Sequence, residues 1–427
     1  MKRPLTYVLA FVVLGALIAG SVLWPRPARD PAPPIPLPVS RLLACPAGDP
    51  AYGKTAVTVT DQTTFLGGPV NAAPGPPTTS ASFDNPAVPI VVRGSASMGG
   101  LSTYTEGGHV LAVPCLPPIT AGTWGGVLPG PQATTLILSN VDVSPAMVDV
   151  FLYDETGPIA MAGLVDITVA PGGTQMLAID TLVPQETTPF AVSIRTSRGR
   201  VLAVMRTTGA QGYDWSLPQV YADTSLVISG IPAGNGTRTL SLTNADPANS
   251  ATAVLEVMSP GGAFAPLGLE SVTVPPARTL TVDVTSAFGG QAAAIRLTAN
   301  RPVSATVTVL DKDIAAVSAQ PGLNGTVVFP SVAGTLVMAN PGKTAAVVTL
   351  RTSDAQGVVQ STDTPVPPGG TATVEVPGGG QWSQVSSPVA DVRVALVLPE
   401  ASAAILPLIG GGASASVPAP RYDPGLG

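Results

Sequence analysis

The chain has 427 residues and a formal net charge of −6, and only 11% of its residues are charged, against roughly a quarter in ordinary soluble proteins. So sparse and acidic a charge set leaves no basic face for a phosphate backbone, which excludes nucleic acid as a partner. Glycine (46) and proline (47) are abundant beside 45% hydrophobic residues, a balance that suits short strands cut by many turns.

Lys2 and Arg3 precede an uncharged run of 20 residues from Leu5 to Trp24. That length spans a bilayer as a helix. It exceeds the apolar core of a secretory signal peptide, although Ala19 and Ser21 would permit cleavage. We read residues 1–24 as a retained transmembrane signal anchor, with Trp24 at the headgroup level. The membrane is then the first expected partner, and the localisation is single-pass with an extracytoplasmic body. Residues 25–40, dense in proline, form a semi-rigid linker.

Residues 41–132 read as an N-terminal β segment that holds the only two cysteines, Cys45 and Cys115. In an oxidising compartment a bridge between them would close a loop of about 70 residues and contribute roughly 4 kcal/mol in the chain-entropy model. Two buried thiols are the alternative. No Cys-x-x-Cys pair or further ligand accompanies them, so neither a metal nor a cofactor is expected.

A pattern then recurs three times. Leu136-Ile137-Leu138-Ser139-Asn140, Leu240-Ser241-Leu242-Thr243-Asn244 and Leu336-Val337-Met338-Ala339-Asn340 stand at spacings of 104 and 96 residues. Regular spacing with drifting identity marks tandem domains. Inside each copy apolar and polar residues alternate, as strand periodicity requires. Asn235-Gly236, Asn324-Gly325 and the Pro171-Gly172-Gly173 run supply turns. Each marker asparagine ends a strand and is assigned a structural role, bonding its own backbone to start a turn. The fold class is all-β: immunoglobulin-like β-sandwich repeats over 133–224, 225–325 and 326–409 after one N-terminal transmembrane helix, with a β-propeller as the rival architecture. Residues 410–427 read as a disordered tail.

Chemistry is harder to find. His109 is the only histidine, and nothing in the sequence orders a nucleophile beside it; Ser95-Ala96-Ser97-Met98-Gly99 lacks the first glycine of a nucleophile elbow. Asp154-Glu155 and Asp311-Lys312-Asp313 read as solvated turn residues, since sequence neighbours on a strand face opposite ways and cannot oppose each other across a cleft. Trp124, Trp215 and Trp382 fall near connectors or loops, where a ring could stack on a sugar; burial in a core is the competing assignment.

Cys115-Leu116-Pro117-Pro118 leading to Trp124-Gly125-Gly126, Asp214-Trp215-Ser216-Leu217-Pro218, Gly261-Gly262-Ala263-Phe264-Ala265-Pro266 and Asn300-Arg301-Pro302-Val303 together resemble an uncharacterised actinobacterial family. Its members are single-pass, extracytoplasmic, Ala/Val/Gly/Pro-rich β-repeat proteins. The resemblance covers about residues 45–400 and brings no catalytic residues with it. At most it implies an association with envelope glycan or glycosyltransferase systems. Two function classes follow: a non-catalytic structural or interaction protein of the cell envelope, with an envelope protein as partner, or a glycan-binding accessory protein. Exposure of the three tryptophans on one face would favour the second.

Overall fold

Short Val-, Thr- and Ala-rich runs of alternating polarity, cut by glycine and proline, favour strand throughout. The computed structural model describes residues 35–36, 41–47, 53–398, 404–410 and 416–417, apart from short gaps at 61–63, 71, 74, 95–97, 107–108, 129–132, 184–188, 210–211, 324 and 390. These residues are all-β, with two 3-10 turns at Ile179–Thr181 and Thr285–Phe288. No helix among them is long and apolar enough to cross a membrane. The expected anchor over 1–24, nearly all of the linker over 25–40 and most of the tail over 410–427 lie outside the described residues. Ile35–Pro36 and Ser416–Val417 pair antiparallel with each other. They belong to a unit of their own; the body is residues 39–413.

The body holds four modules with one strand order. In the second module Ala121–Val127, Ala133–Ser139, Ala146–Tyr153, Thr174–Ala178, Phe190–Arg198, Leu202–Gly209 and Gly212–Ser216 are the seven main strands. The first pairs with the fifth and the fifth with the third, making one sheet. The fourth pairs with the second, the second with the sixth and the sixth with the seventh, making the other. The third and fourth modules, over 223–318 and 326–407, repeat these pairings. In the third module one 18-residue strand, Ala293–Leu310, supplies both the fifth and the sixth strand. Between the two sheets of each module lies an apolar core, such as Leu136, Val148, Val150, Phe190 and Val192 in the second.

Two expectations are corrected. The immunoglobulin-like order is not what the pairings give. In an immunoglobulin constant domain the second strand lies between the first and the fifth; here it lies between the fourth and the sixth. Alternation and strand count specify two layers and leave open which strands become neighbours. The second correction concerns residues 41–132. Arg41–Cys45, Gly53–Val59, Phe65–Pro69, Ser80–Asp84, Ile90–Gly94, Met98–Glu106 and His109–Pro114 pair in the same order as the other modules. The segment is therefore a fourth copy, placed first. The strand Ala121–Val127, expected within that segment, pairs with Phe190–Arg198 and belongs to the second module.

The marker asparagines are the pins of the later copies. Each is fully buried. The Asn140 side-chain amide donates to the carbonyls of Ser144 (2.7 Å) and Val169 (3.1 Å), and its oxygen accepts the N–H of Asp142. Asn244 donates to Asn249, Val274 and Pro275, and Asn340 to Thr344 and Val366. Each pin ties the turn after the second strand to the segment that leads into the fourth. Thr60 holds this place in the first module.

The modules close a ring. The first strand of each lies against the outer face of the next module's second and sixth strands. Ala44 meets Val141 and Leu202; Gly125 donates its N–H to Thr306 Oγ1 at 3.0 Å; Val227 packs with Ala339. The fourth module's first strand returns to the first module, where Leu101 and Ala112 join one cluster with Phe329 and Leu336. Contact there is so close that a Cβ on Gly99 would stand 1.6 Å from the Val328 carbonyl oxygen. Interleaved strand order separates this ring from a propeller, whose blades are built from consecutive strands.

Candidate functional site

The three tryptophans lie on strands, Trp124 and Trp215 on the first and seventh of the second module and Trp382 on the fifth of the fourth, and all are buried. Trp124 is buried in the second module's core, and its indole N–H donates to the Ser216 carbonyl at 3.1 Å. Trp215 is buried and stacks on Tyr104 of the first module, centroids 4.5 Å apart. Trp382 is 8% exposed, with the Arg351 guanidinium 5.8 Å from its ring centroid. None of the three presents a free face on which a sugar could stack: Trp124 and Trp215 are buried in the second module and Trp382 in the fourth. Cys45 and Cys115 are joined in a disulfide that links the end of the first strand to the residue after the seventh, across the two sheets. The His109 backbone pairs with Glu106 in the hairpin of the sixth and seventh strands.

The expected solvated acids are turn residues, but two of them are buried. Asp154 is 8% exposed, and its Oδ1 accepts the N–H groups of Thr156 and Gly157 and the Thr156 hydroxyl. Asp313 is 1% exposed. Together with Asp214, 3% exposed, it forms a pair of buried carboxyls. Both stand where the seventh strands of the second and third modules meet, and each carboxyl accepts from the other strand. Asp313 Oδ1 takes the Tyr213 N–H at 2.7 Å and Asp214 Oδ2 takes the Ala316 N–H at 3.0 Å. Seventh strands are sheet edges, whose free N–H groups need partners; this clasp supplies them reciprocally.

Electrostatics single out Asp214. Burial removes its carboxyl from water, and the Asp313 charge adds to that effect; together they push its pKa up to about 8, against the pull of backbone N–H groups of Ala316 and Trp215. Perturbed acids are the usual mark of an active site. The space beside this one, however, is only about 20 Å³, room for a single water molecule and for no substrate. Among the described residues no group of three or more His, Cys, Asp or Glu could hold a metal ion. Asp214 is therefore a joint between modules.

Larger spaces open at the outer seams. One of about 410 Å³ lies between the first and second modules and includes Leu66, Arg93 and Asp142. Another of about 450 Å³ lies between the second and third, lined by apolar residues such as Phe151, Ile159 and Val165 and by no charged side chain. The sequence reading missed these grooves because each is built from two modules. The repeated Ile194-Arg195 and Ile295-Arg296 pairs held the available signal; Val92-Arg93 is their counterpart once the first module is recognised as a copy.

The family model described as "Family of unknown function (DUF5719)" matches residues 94–377, more than half of the chain, and the protein belongs to that family. Among curated proteins none matches. Among solved structures, the crystal structure of a tetra-tandem repeat in the extending region of a large adhesion protein is similar over 86% of this chain and 93% of that one. At 15% identity and a TM-score of 0.13, that likeness carries neither fold nor function to this protein.

Proposed function

We propose that this member of the DUF5719 family is a non-catalytic, extracytoplasmic interaction protein of the bacterial cell envelope, tethered to the membrane through residues 1–24. The observation that carries the reading is the Cys45–Cys115 bridge, which has both sulfurs in the first module's core. Reducing compartments keep such pairs as thiols, whereas exported proteins retain them. The closed ring supports it further. A body whose modules each brace the next is suited to holding its outer loops at fixed positions before a partner. The sugar-stacking alternative drew on Trp124, Trp215 and Trp382, and their burial removes the observation that favoured it.

Thiol labelling of intact cells before and after reduction, combined with protease added from outside, tests the placement. The expected result is no labelled cysteine until a reductant is added, together with external cleavage of the body. Two thiols labelled without reductant, or a body protected until the cells are lysed, would overturn it.

A further inference from the structure

The outward face of the fifth strand carries an arginine in three modules, and the three differ in what stands opposite. Arg296 faces Glu256 on the third strand, with Nε 2.7 Å from the carboxylate, and its Nη1 reaches the Pro341 carbonyl of the next module at 3.1 Å. Arg195 is paired in register with Asp149. Arg93 is paired in register with Leu66 instead, and within the described residues it makes no hydrogen bond or ion pair. The acid beside it among the described residues, Asp142, is held by Arg200 through two bonds of 2.8 and 2.9 Å and feels the Arg93 charge through space alone.

This guanidinium, with a leucine rather than an acid across the sheet from it, lines the groove of about 410 Å³ between the first and second modules, a volume typical of small-molecule sites. The corresponding seam between the third and fourth modules is filled, since Gly369 and Gly370 come up against Ala263 and Ser259. The corresponding groove between the second and third is open but uncharged. An open groove and a guanidinium without an acid across the sheet therefore coincide at one seam.

We propose that this groove binds the C-terminal carboxylate of a peptide that ends in an aliphatic residue, with Arg93 as the anion anchor. Guanidinium and carboxylate match as a planar, two-bond pair. Leu66, Val91, Val141 and Val143 give the aliphatic side chain its apolar wall, and Val143 is 94% exposed at the rim. Among the described residues no Ser, Thr, Asn, Gln or aromatic side chain lines the groove, so they offer the hydroxyls and ring faces of a saccharide no such partner. The proposal concerns this one seam and stands whether or not the envelope placement holds.

Saturation-transfer NMR on the full-length protein would test it, with N-acetyl-Ala-Leu as probe and its C-terminal carboxamide as control. The free acid is expected to bind saturably and the carboxamide about tenfold or more weakly, the loss expected when a charge-assisted bond is removed. Arg93→Gln should weaken the acid to a similar degree. Leu66→Glu, which installs the acid that Arg296 has in Glu256, should do the same, while Arg195→Gln should leave binding unchanged. Circular dichroism would establish that each variant folds, and the acid–amide comparison needs no variant. No saturable binding, equal binding of acid and amide, or full binding by a folded Arg93→Gln or Leu66→Glu protein would each overturn the proposal. Displacement of the peptide by glucuronate at lower concentration would overturn the peptide assignment in favour of an acidic sugar.

Discussion

The first module and its three successors reach one strand order by different fastenings. Modules two to four each bury an asparagine whose amide ties a turn to the segment entering the fourth strand. The first module has Thr60 at that place and joins its two sheets through Cys45–Cys115. A buried amide acts only once its carbonyl partners are in position. A cross-link acts on the unfolded chain, which it robs of conformational freedom. The topology is thus indifferent to the particular lock, but the copies should fail under different conditions.

Removing the bridge tests that contrast most severely. Cys45→Ala with Cys115→Ala should destabilise the first module by about 4 kcal/mol, the value for a closed loop of this length. Hydrogen exchange should show protection lost over 41–115 and along the seam with 326–330, while the later cores stay protected. Equal loss across all four modules would mean that the ring unfolds as one body and the comparison has no energetic content.

A smaller and opposite effect is expected from Asn244→Ala. It leaves the carbonyls of Asn249, Val274 and Pro275 without their amide donor and should cost about 2–3 kcal/mol, as unsatisfied buried polar groups do. Loss of protection should centre on 223–318 and should not deepen when a reductant is added. If reductant and substitution act on the same residues, the two fastenings are not independent.

The finest probe is pH, at the joint between the second and third modules. Burial pushes the folded pKa of Asp214 up to about 8, from the ordinary aspartate value of 3.8. Between those two values the unfolded chain has released the proton that the folded one still holds. Stability contributed at this site therefore falls as pH rises from about 4 to about 8 and levels off above that. Asp214→Asn cannot ionise, so its melting temperature should lack this downward slope and exceed the wild-type value most clearly near pH 8. Parallel pH profiles for the two proteins would show that Asp214 does not titrate in this way.

Three of the four modules could be read from the sequence because Asn140, Asn244 and Asn340 repeat at a readable interval. The fourth copy was hidden by the same logic, since a threonine and a disulfide replaced the marker. Neighbour order was not legible either, for alternation says which face a side chain takes and nothing about which strand lies beside it. The tryptophans were placed near connectors correctly in sequence terms. Their exposure was left open, with burial in a core as one assignment; all three are buried, and Trp215 finds Tyr104 from another module. Arg93 drew no notice for a related reason: its distinguishing feature is Leu66 across the sheet, where its counterparts have Glu256 and Asp149. Such an absence is visible only after the copies are superposed strand by strand.

The return of residues 326–330 to the face carrying Gly99 and Leu101 also sets a timetable for biosynthesis. The N-terminal module can form its own core early, but its docking face stays bare until the last module's opening strand has emerged. At ribosomal speeds of about 5–20 residues per second this interval is on the order of ten to fifty seconds. Throughout it an apolar, glycine-smoothed sheet face is open to any passing strand, including that of a neighbouring nascent chain. Domain-swapped dimers that exchange the closing strand are accordingly the characteristic misassembly to look for when the protein is made too fast or at too high a concentration.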